Sequence, residues 1–305
     1  MATTAAPPAL GGRLPAAATE RRRRSPGRWF SELGWRHVVG VVAVVYAAFP
    51  LVYVLSASLS ENGTLTGSNT LFADVSTANY AQLGATMFWT WTVNTIVVAV
   101  ATSVGTVLMG AAAAYAFSRF RFTGRRAGLT SLLVLQMFPQ MLAFVAIFLL
   151  LLGLGDVVPA LGLDSKVALV AVYLGGALGV NTFLMYGFFN TVPRELDEAA
   201  KLDGATHAQI YWTIILRLVA PILAVVALLS FISTFGEFIV ARVVLSSESR
   251  WTLAVGLYGW VSSLREANWG LFTAGAVISA LPVLALFLYL QKYIVGGLTA
   301  GSVKG

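Results

Sequence analysis

The chain has no cysteine and only two histidines, His37 and His207. Without cysteine there is no disulfide framework, no thiolate metal site and no cysteine nucleophile. Two histidines so far apart in sequence leave little for an imidazole metal site, and none is expected. Charge is also scarce. Only 11% of the 305 residues are Asp, Glu, Lys or Arg, against about 25% in soluble domains. Hydrophobic residues make up 58%, and mean hydropathy is +0.80. A soluble core of this size cannot hide that much apolar surface, so lipid is the expected solvent for much of the chain. No internal repeat stands out. A phosphate-cradling G-x-x-x-x-G-K-[ST] loop is missing too, so any ATP has to be handled by another polypeptide.

What is present is a series of long uncharged stretches. Six reach the ~20 helical residues needed to cross a bilayer core of about 30 Å: Val38 to Leu59, Trp91 to Phe117, Ala127 to Gly155, Val167 to Pro193, Leu218 to Gly236 (continuing to about Val240) and Ala267 to Gln291. Barrel strands would be shorter and would alternate, so an all-α, six-helix polytopic membrane protein is expected.

An even number of spans puts both termini on one side. Of the 20 Lys and Arg residues, only Lys166, Arg242, Arg250 and Arg265 fall on the other side. The positive-inside bias therefore places both termini in the cytoplasm. The +7 charge then reports topology and contact with anionic lipid, and no nucleic-acid partner is expected. Residues 1–36, rich in Ala, Pro, Gly and Arg, read as a disordered basic cytoplasmic extension. The first span is longer than the apolar core of a signal peptide and reads as a retained anchor. The membrane domain is expected over 37–295 and a cytoplasmic tail over 296–305.

Two loops carry more than connection. The outer loop 241–269 holds Trp251, Leu253, Val255, Leu257, Tyr258 and Trp260, much apolar surface for solvated chain. It is expected to form a short helix packed on the membrane domain or on an outer partner, or else lying on lipid. Pro139 interrupts the third stretch, and Gly175-Gly176 lie within the fourth. These are either kinks beside a pathway or small-residue packing features.

The second loop, 191–217, is charged and broken by glycine. From Pro193 to Gly204 it reads as a short helix, with Pro193 at the first helical position. Glu195, Asp197 and Glu198 sit where the helix dipole favours anions, and Gly204 supplies the stop. Thr206 and Gln209 form a capping-box pattern that starts a second helix. This elbow nets −2, from Arg194 and Lys201 against Glu195, Asp197, Glu198 and Asp203. On a side where other segments net positive, an acidic elbow suits a protein socket better than a lipid surface. The bland alternative is a solvated turn.

Glu198-Ala199-Ala200, three residues, then Gly204 resemble the EAA loop of the membrane subunits of bacterial ATP-binding-cassette importers. Arg217 stands where that family usually has Pro and His207 where Pro is frequent, while Pro221 supplies a nearby break. The runs Leu135 to Pro139, Tyr173 to Gly176, Thr252 to Gly256 and Ser279 to Pro282, with the ending Gly297 to Gly305, are similar to the maltose-type carbohydrate-uptake permeases. The resemblance covers about residues 37 to 305.

It implies a type I importer permease fold in the bacterial cytoplasmic (inner) membrane, importing carbohydrate, with maltose or maltodextrin as the expected sugar. It implies three protein partners: a second permease forming a heterodimer, an ATPase dimer that holds ATP and Mg, and an extracytoplasmic sugar-binding protein. This chain itself would bind no cofactor and would not be an enzyme. The coupling residues implied are Glu195, Glu198, Ala199, Ala200, Asp203, Gly204 and Ala205. The tail residues Val303, Lys304 and Gly305 would touch the ATPase, and the outer-loop residues Trp251, Leu257, Tyr258 and Trp260 would meet the binding protein. Sugar contacts in such systems lie mainly in the other permease, so only a weak sugar site is expected here.

Gln136, Tyr173, Asn181 and Glu237 are the polar or aromatic span positions expected to line a pathway. Glu237, the one acidic residue at a span, would face that pathway or pair with Arg242. It also leaves open an alternative function, a proton-coupled secondary transporter. An intramembrane enzyme would need a nucleophile–base pair or a metal, and no residues within the spans supply either.

Overall fold

The computed structural model describes residues 34–60, 70–72, 75–138, 140–262 and 267–300, with the backbone alone at 140–141 and 294–300. Among the described residues the protein is helical, with one isolated antiparallel bridge, Ser60 to Val75. By internal contacts it divides into an N-terminal unit ending at Leu51 and a second unit from Val52 onward. The first unit holds most of α1 (Trp35–Ser58), an apolar helix with Pro50 inside it.

The second unit is built around α3 (Phe88–Arg119), whose main packing partners are α6 (Lys166–Phe189) and α9 (Ala220–Phe235). The sequence of α3 explains its central place. Thr95, Ala99, Ser103, Thr106, Gly110, Ala114 and Ser118 recur every three or four residues and are all buried. Such a stripe of small residues lets membrane helices approach closely. The opposite face presents Val93, Val97, Val100, Val104 and Leu108 outward, apolar groups that suit lipid and would be costly in water. Hydroxyls secure the contact, Ser103 Oγ to the Ala227 carbonyl at 2.8 Å and Ser230 Oγ to Thr106 Oγ1 at 3.3 Å.

The remaining helices are α2 (Ala78–Leu83), α4 (Arg125–Gln136), α5 (Gln140–Val157), α7 (Glu195–Leu202), α8 (His207–Leu218, π-helical over Ile210–Ile215), α10 (Ile239–Val244), α11 (Leu253–Val261) and α12 (Trp269–Ala300). Asn79 fastens α2 to the end of α1 by donating to the Ser58 and Ser60 carbonyls. Near the Arg119 end of α3, Ala114, Tyr115, Met185, Phe189, Ile210 and Ile215 form one buried cluster. Near the Phe88 end, Phe88, Trp91, Phe231, Leu253, Leu257 and Leu271 form another.

Among the described residues four helices are long and apolar enough to cross a membrane: α1, α3, α6 and Trp269–Tyr293 of α12. The α8–α9 pair, bent by 78°, makes a fifth if counted as one span. The expected third span is instead two helices, α4 and α5, on either side of Pro139, which lies outside the described residues. A proline removes one helical donor and clashes with the preceding turn. The fifth expected span is filled by α9, with Pro221 in its first turn, while the expected continuation toward Val240 is broken after Gly236 and resumes as a separate α10. Gly175-Gly176 produce no break, since α6 runs through them.

Candidate functional site

The elbow lies at the Arg119 end. Helix α7 begins at Glu195 with Arg194 as N-cap, so Pro193 stands two residues ahead of the helix rather than at its first position. No side chain caps α7. Instead the Arg194 guanidinium donates across to the Ser118 carbonyl at 2.8 Å. At the other end Ala205 N–H bonds the Ala200 carbonyl and Gly204 N–H the Lys201 carbonyl, with Gly204 at φ +84°. This paired closure needs a left-handed residue, which glycine supplies without strain. Thr206 and Gln209 form the full reciprocal capping box that starts α8.

The anchor of the elbow is a pair that the motif does not contain. Arg119 Nε lies 2.6 Å from Asp197 Oδ2, with both side chains more than nine-tenths buried. The same guanidinium donates to the carbonyls of Phe189 at 3.2 Å and Val192 at 3.0 Å. One side chain thus joins the end of α3, the end of α6 and the first turn of α7. Ala200 is buried beside Asp197, while Glu195, Glu198, Ala199, Lys201, Asp203 and Gly204 face outward and Ala205 is half-buried. Leu202, also outward, is 90% exposed. Leu196, Ala199 and Leu202 recur three apart, off the Asp197/Ala200 face. That spacing was the available signal for an apolar contact surface among the acidic groups.

At the Phe88 end the segment 241–269, expected to lie outside the cell, is clamped to the bundle. Trp91 Nε1 donates to the Glu248 carbonyl, and Asn94 Nδ2 to those of Ser249 and Trp251. Lys166 Nζ in turn holds Asn94 Oδ1 at 2.8 Å. Asp164, at φ +59°, accepts from the N–H groups of Ser246 and Ser247 and from the Ser247 hydroxyl. Its backbone carbonyl and carboxylate both meet Arg250. Burial pushes the Asp164 carboxyl up, but the Ser247 and Ser246 donors and the Arg250 charge outweigh it and hold the group below its usual range.

The expected short helix of this segment is α11, packed on α3 and α12. Of the four residues expected to face a partner, Tyr258 is half exposed, with its ring 4.8 Å from that of Phe238. The other three turn inward. Leu257 is buried, Trp251 and Trp260 stand against Trp91 at 6.0 and 5.3 Å, and Trp260 also stacks on Phe88.

The four expected pathway residues come together. Gln136, Tyr173, Asn181 and Glu237 all line one cavity of about 560 Å³ between α3, α4, α5, α6, α9 and α10. Glu237 sits in the break between α9 and α10 and bonds Tyr173, whose hydroxyl donates to Oε2 at 2.5 Å. Its carboxylate also caps α10, accepting from the N–H groups of Val240 at 2.9 Å and Ala241 at 3.0 Å. Arg242 lies over the Trp251 ring instead, 5.4 Å from its centre. Gln136 donates to the Gly176 carbonyl and Asn181 to the Ala177 carbonyl of its own helix. Thr102, Ser230, Ser233 and Thr234 complete the polar lining. The sequence does not mark them, because hydroxyls on apolar helices are common and their facing is set by packing. No group of three or more His, Cys, Asp or Glu side chains that could hold a metal occurs among the described residues. Val303, Lys304 and Gly305 lie outside the described residues.

Comparison with known proteins gives a consistent answer. The family described as "Binding-protein-dependent transport system inner membrane component" matches residues 106–299. The maltodextrin transport system permease protein MdxG of Bacillus subtilis (strain 168) is 44% identical over 220 residues, 72% of this chain and 77% of that protein. The galactooligosaccharides transport system permease protein GanQ of the same strain is 36% identical over 282 residues, 91% and 98% of the two chains. Among solved structures, a bacterial ABC transporter involved in the import of the acidic polysaccharide alginate superposes with a TM-score of 0.74. It is 26% identical, covering 88% of this chain and 98% of its own.

Proposed function

Since the chain belongs to the family of binding-protein-dependent transport system inner membrane components, membrane permeases of sugar ABC importers whose ATPase is a separate subunit, we propose a division of labour within it. The elbow 191–217 is the coupling element that a partner ATPase grips. Carbohydrate passes along the α3–α6–α9 side of the chain, against a second permease, and the segment 241–269 meets an extracytoplasmic sugar-binding protein. The sugar is a maltodextrin, a reading supported by the likeness to MdxG. The chain crosses the bacterial cytoplasmic membrane six times with both termini inside, the third crossing being made by the broken pair α4–α5 and the fifth by α9, which α8 joins to the elbow at the 78° bend.

The observation that carries this reading is the mounting of the elbow. A short helix that only joined two spans would not need a buried ion pair, a guanidinium spanning three chain segments and a closed glycine end. Together these make α7 rigid relative to α3 and α6, so force applied to α7 is passed to the bundle rather than absorbed by a loop. Leu202, with Glu195, Glu198 and Asp203 around it, offers an apolar knob in an acidic rim to a protein socket. ATP and Mg, held on the ATPase, would supply the closure that moves α7.

Reconstitution tests the reading. In proteoliposomes this chain alone should move no sugar. Addition of the second permease, the ATPase and the binding protein should give ATP-dependent uptake that survives collapse of a proton gradient. Uptake by the chain alone, driven by protons, would instead establish the rival assignment and bring Glu237 forward.

A further inference from the structure

Resting on the importer reading, we propose that the cavity around Tyr173 and Glu237 is a binding subsite for a neutral saccharide on this subunit. Its volume of about 560 Å³ falls within the ~300–1,000 Å³ of small-molecule sites. Its walls mix apolar groups such as Phe144 and Val172 with inward polar ones. A sugar needs both, because it presents C–H faces as well as hydroxyls.

Two polar groups have capacity left. Glu237 accepts two hydrogen bonds on Oε2 and one on Oε1. A carboxylate offers about four acceptor sites, so Oε1 can take one more donor, and it is held in place by the three it already has. A sugar hydroxyl is such a donor. The hydrogen bond recorded for Asn181 goes to its own helix, which leaves its amide oxygen and second N–H for a ligand.

The charge of the cavity sets the class of sugar. Among the described lining residues Glu237 is the charged group, and no Lys, Arg or His accompanies it. A uronate would bring a second carboxylate beside Glu237, with no cation among the described lining residues to offset it. The similar solved importer carries an acidic polysaccharide. This cavity is built for the uncharged class.

The test uses the whole importer in proteoliposomes. Maltotriose and galactotriose serve as neutral probes and a galacturonate trimer as the acidic one. The wild-type importer should take up a neutral trimer and exclude the uronate. Asn181→Leu and Glu237→Gln should each lower neutral uptake at limiting sugar by about tenfold, the scale of one lost hydrogen bond. Glu237→Gln should also raise the ratio of uronate to neutral uptake. Both variants should still co-purify with the ATPase. Asn181→Leu keeps the test sharp, because the hydrogen bond it removes lies within α6. Wild-type uptake in both variants overturns the proposal. So does a coupled importer that prefers the uronate or takes neither neutral trimer. Failure of the ATPase to join the wild-type chain would be a different result, one that sinks the importer reading itself.

Discussion

Replacing Arg119 by Met should destabilise the protein by about 3–5 kcal/mol, the usual cost of stripping one partner from a buried ion pair. The penalty comes from what is left behind. Asp197 would keep a carboxylate in a site less than a tenth exposed, where its other oxygen, Oδ1, already has no hydrogen-bond partner among the described residues. The carbonyls of Phe189 and Val192 would lose their guanidinium donors in the same step. Thermal unfolding in detergent should show the loss, and α7 should become protease-sensitive before the outer segment does. The double replacement Arg119→Met with Asp197→Leu should recover much of the stability, since neither charge is then stranded. A single variant within about 0.5 kcal/mol of wild type, as for an ordinary surface change, would mean that the elbow is not held by this pair.

Gly256→Ala should be the most damaging change of one methyl group near the Phe88 end of α3. A Cβ built at Gly256 would lie 2.0 Å from the Trp91 ring. The ring cannot step aside easily. Its Nε1 is bonded to the Glu248 carbonyl, and Trp251 and Trp260 stand against it. Overpacking of this kind typically costs about 1–3 kcal/mol. It should appear as a shift in tryptophan fluorescence and as proteolysis between Ser246 and Ser262. Trp91→Leu in the same chain should relieve the clash and restore part of the resistance. The elbow, at the opposite end of α3, should keep its protection in both variants. Equal loss of protection at the two ends would show that the clamp and the elbow are not separate units.

Much of the arrangement was legible because it follows from local chemistry. Gly204 and the Thr206–Gln209 pair announce a helix end and a helix start by rules that involve only neighbours in sequence, and both features are present. The apolar runs that became α1, α3, α6 and α12 needed only length and hydropathy. The breaks were half legible. Pro139 marked where the third run divides and Pro221 where α9 begins, but no sequence rule sets the 78° between α8 and α9.

Long-range pairing was not legible. Nothing near Asp197 in sequence names Arg119 as its partner, and nothing near Glu237 favours Tyr173 over the much nearer Arg242. Those choices depend on how α3, α6 and α9 are rotated in the bundle. The outer aromatics show the same limit. Trp251, Leu257 and Trp260 look like contact residues on a list, but their rings and methyls are consumed by Phe88 and Trp91.

The most direct measurement is co-purification. The tagged chain would be co-expressed with the second permease and the ATPase of its importer and isolated in mild detergent, as wild type, Leu202→Asp, Gly204→Asp and Tyr258→Ala. The account predicts that the ATPase accompanies the wild type and Tyr258→Ala. It should be lost from Leu202→Asp, which puts a charge on the exposed knob, and from Gly204→Asp, which strains the closing turn and deepens the acidic rim. An ATPase retained at wild-type levels in both elbow variants would contradict the claim that α7 is where the motor grips this chain.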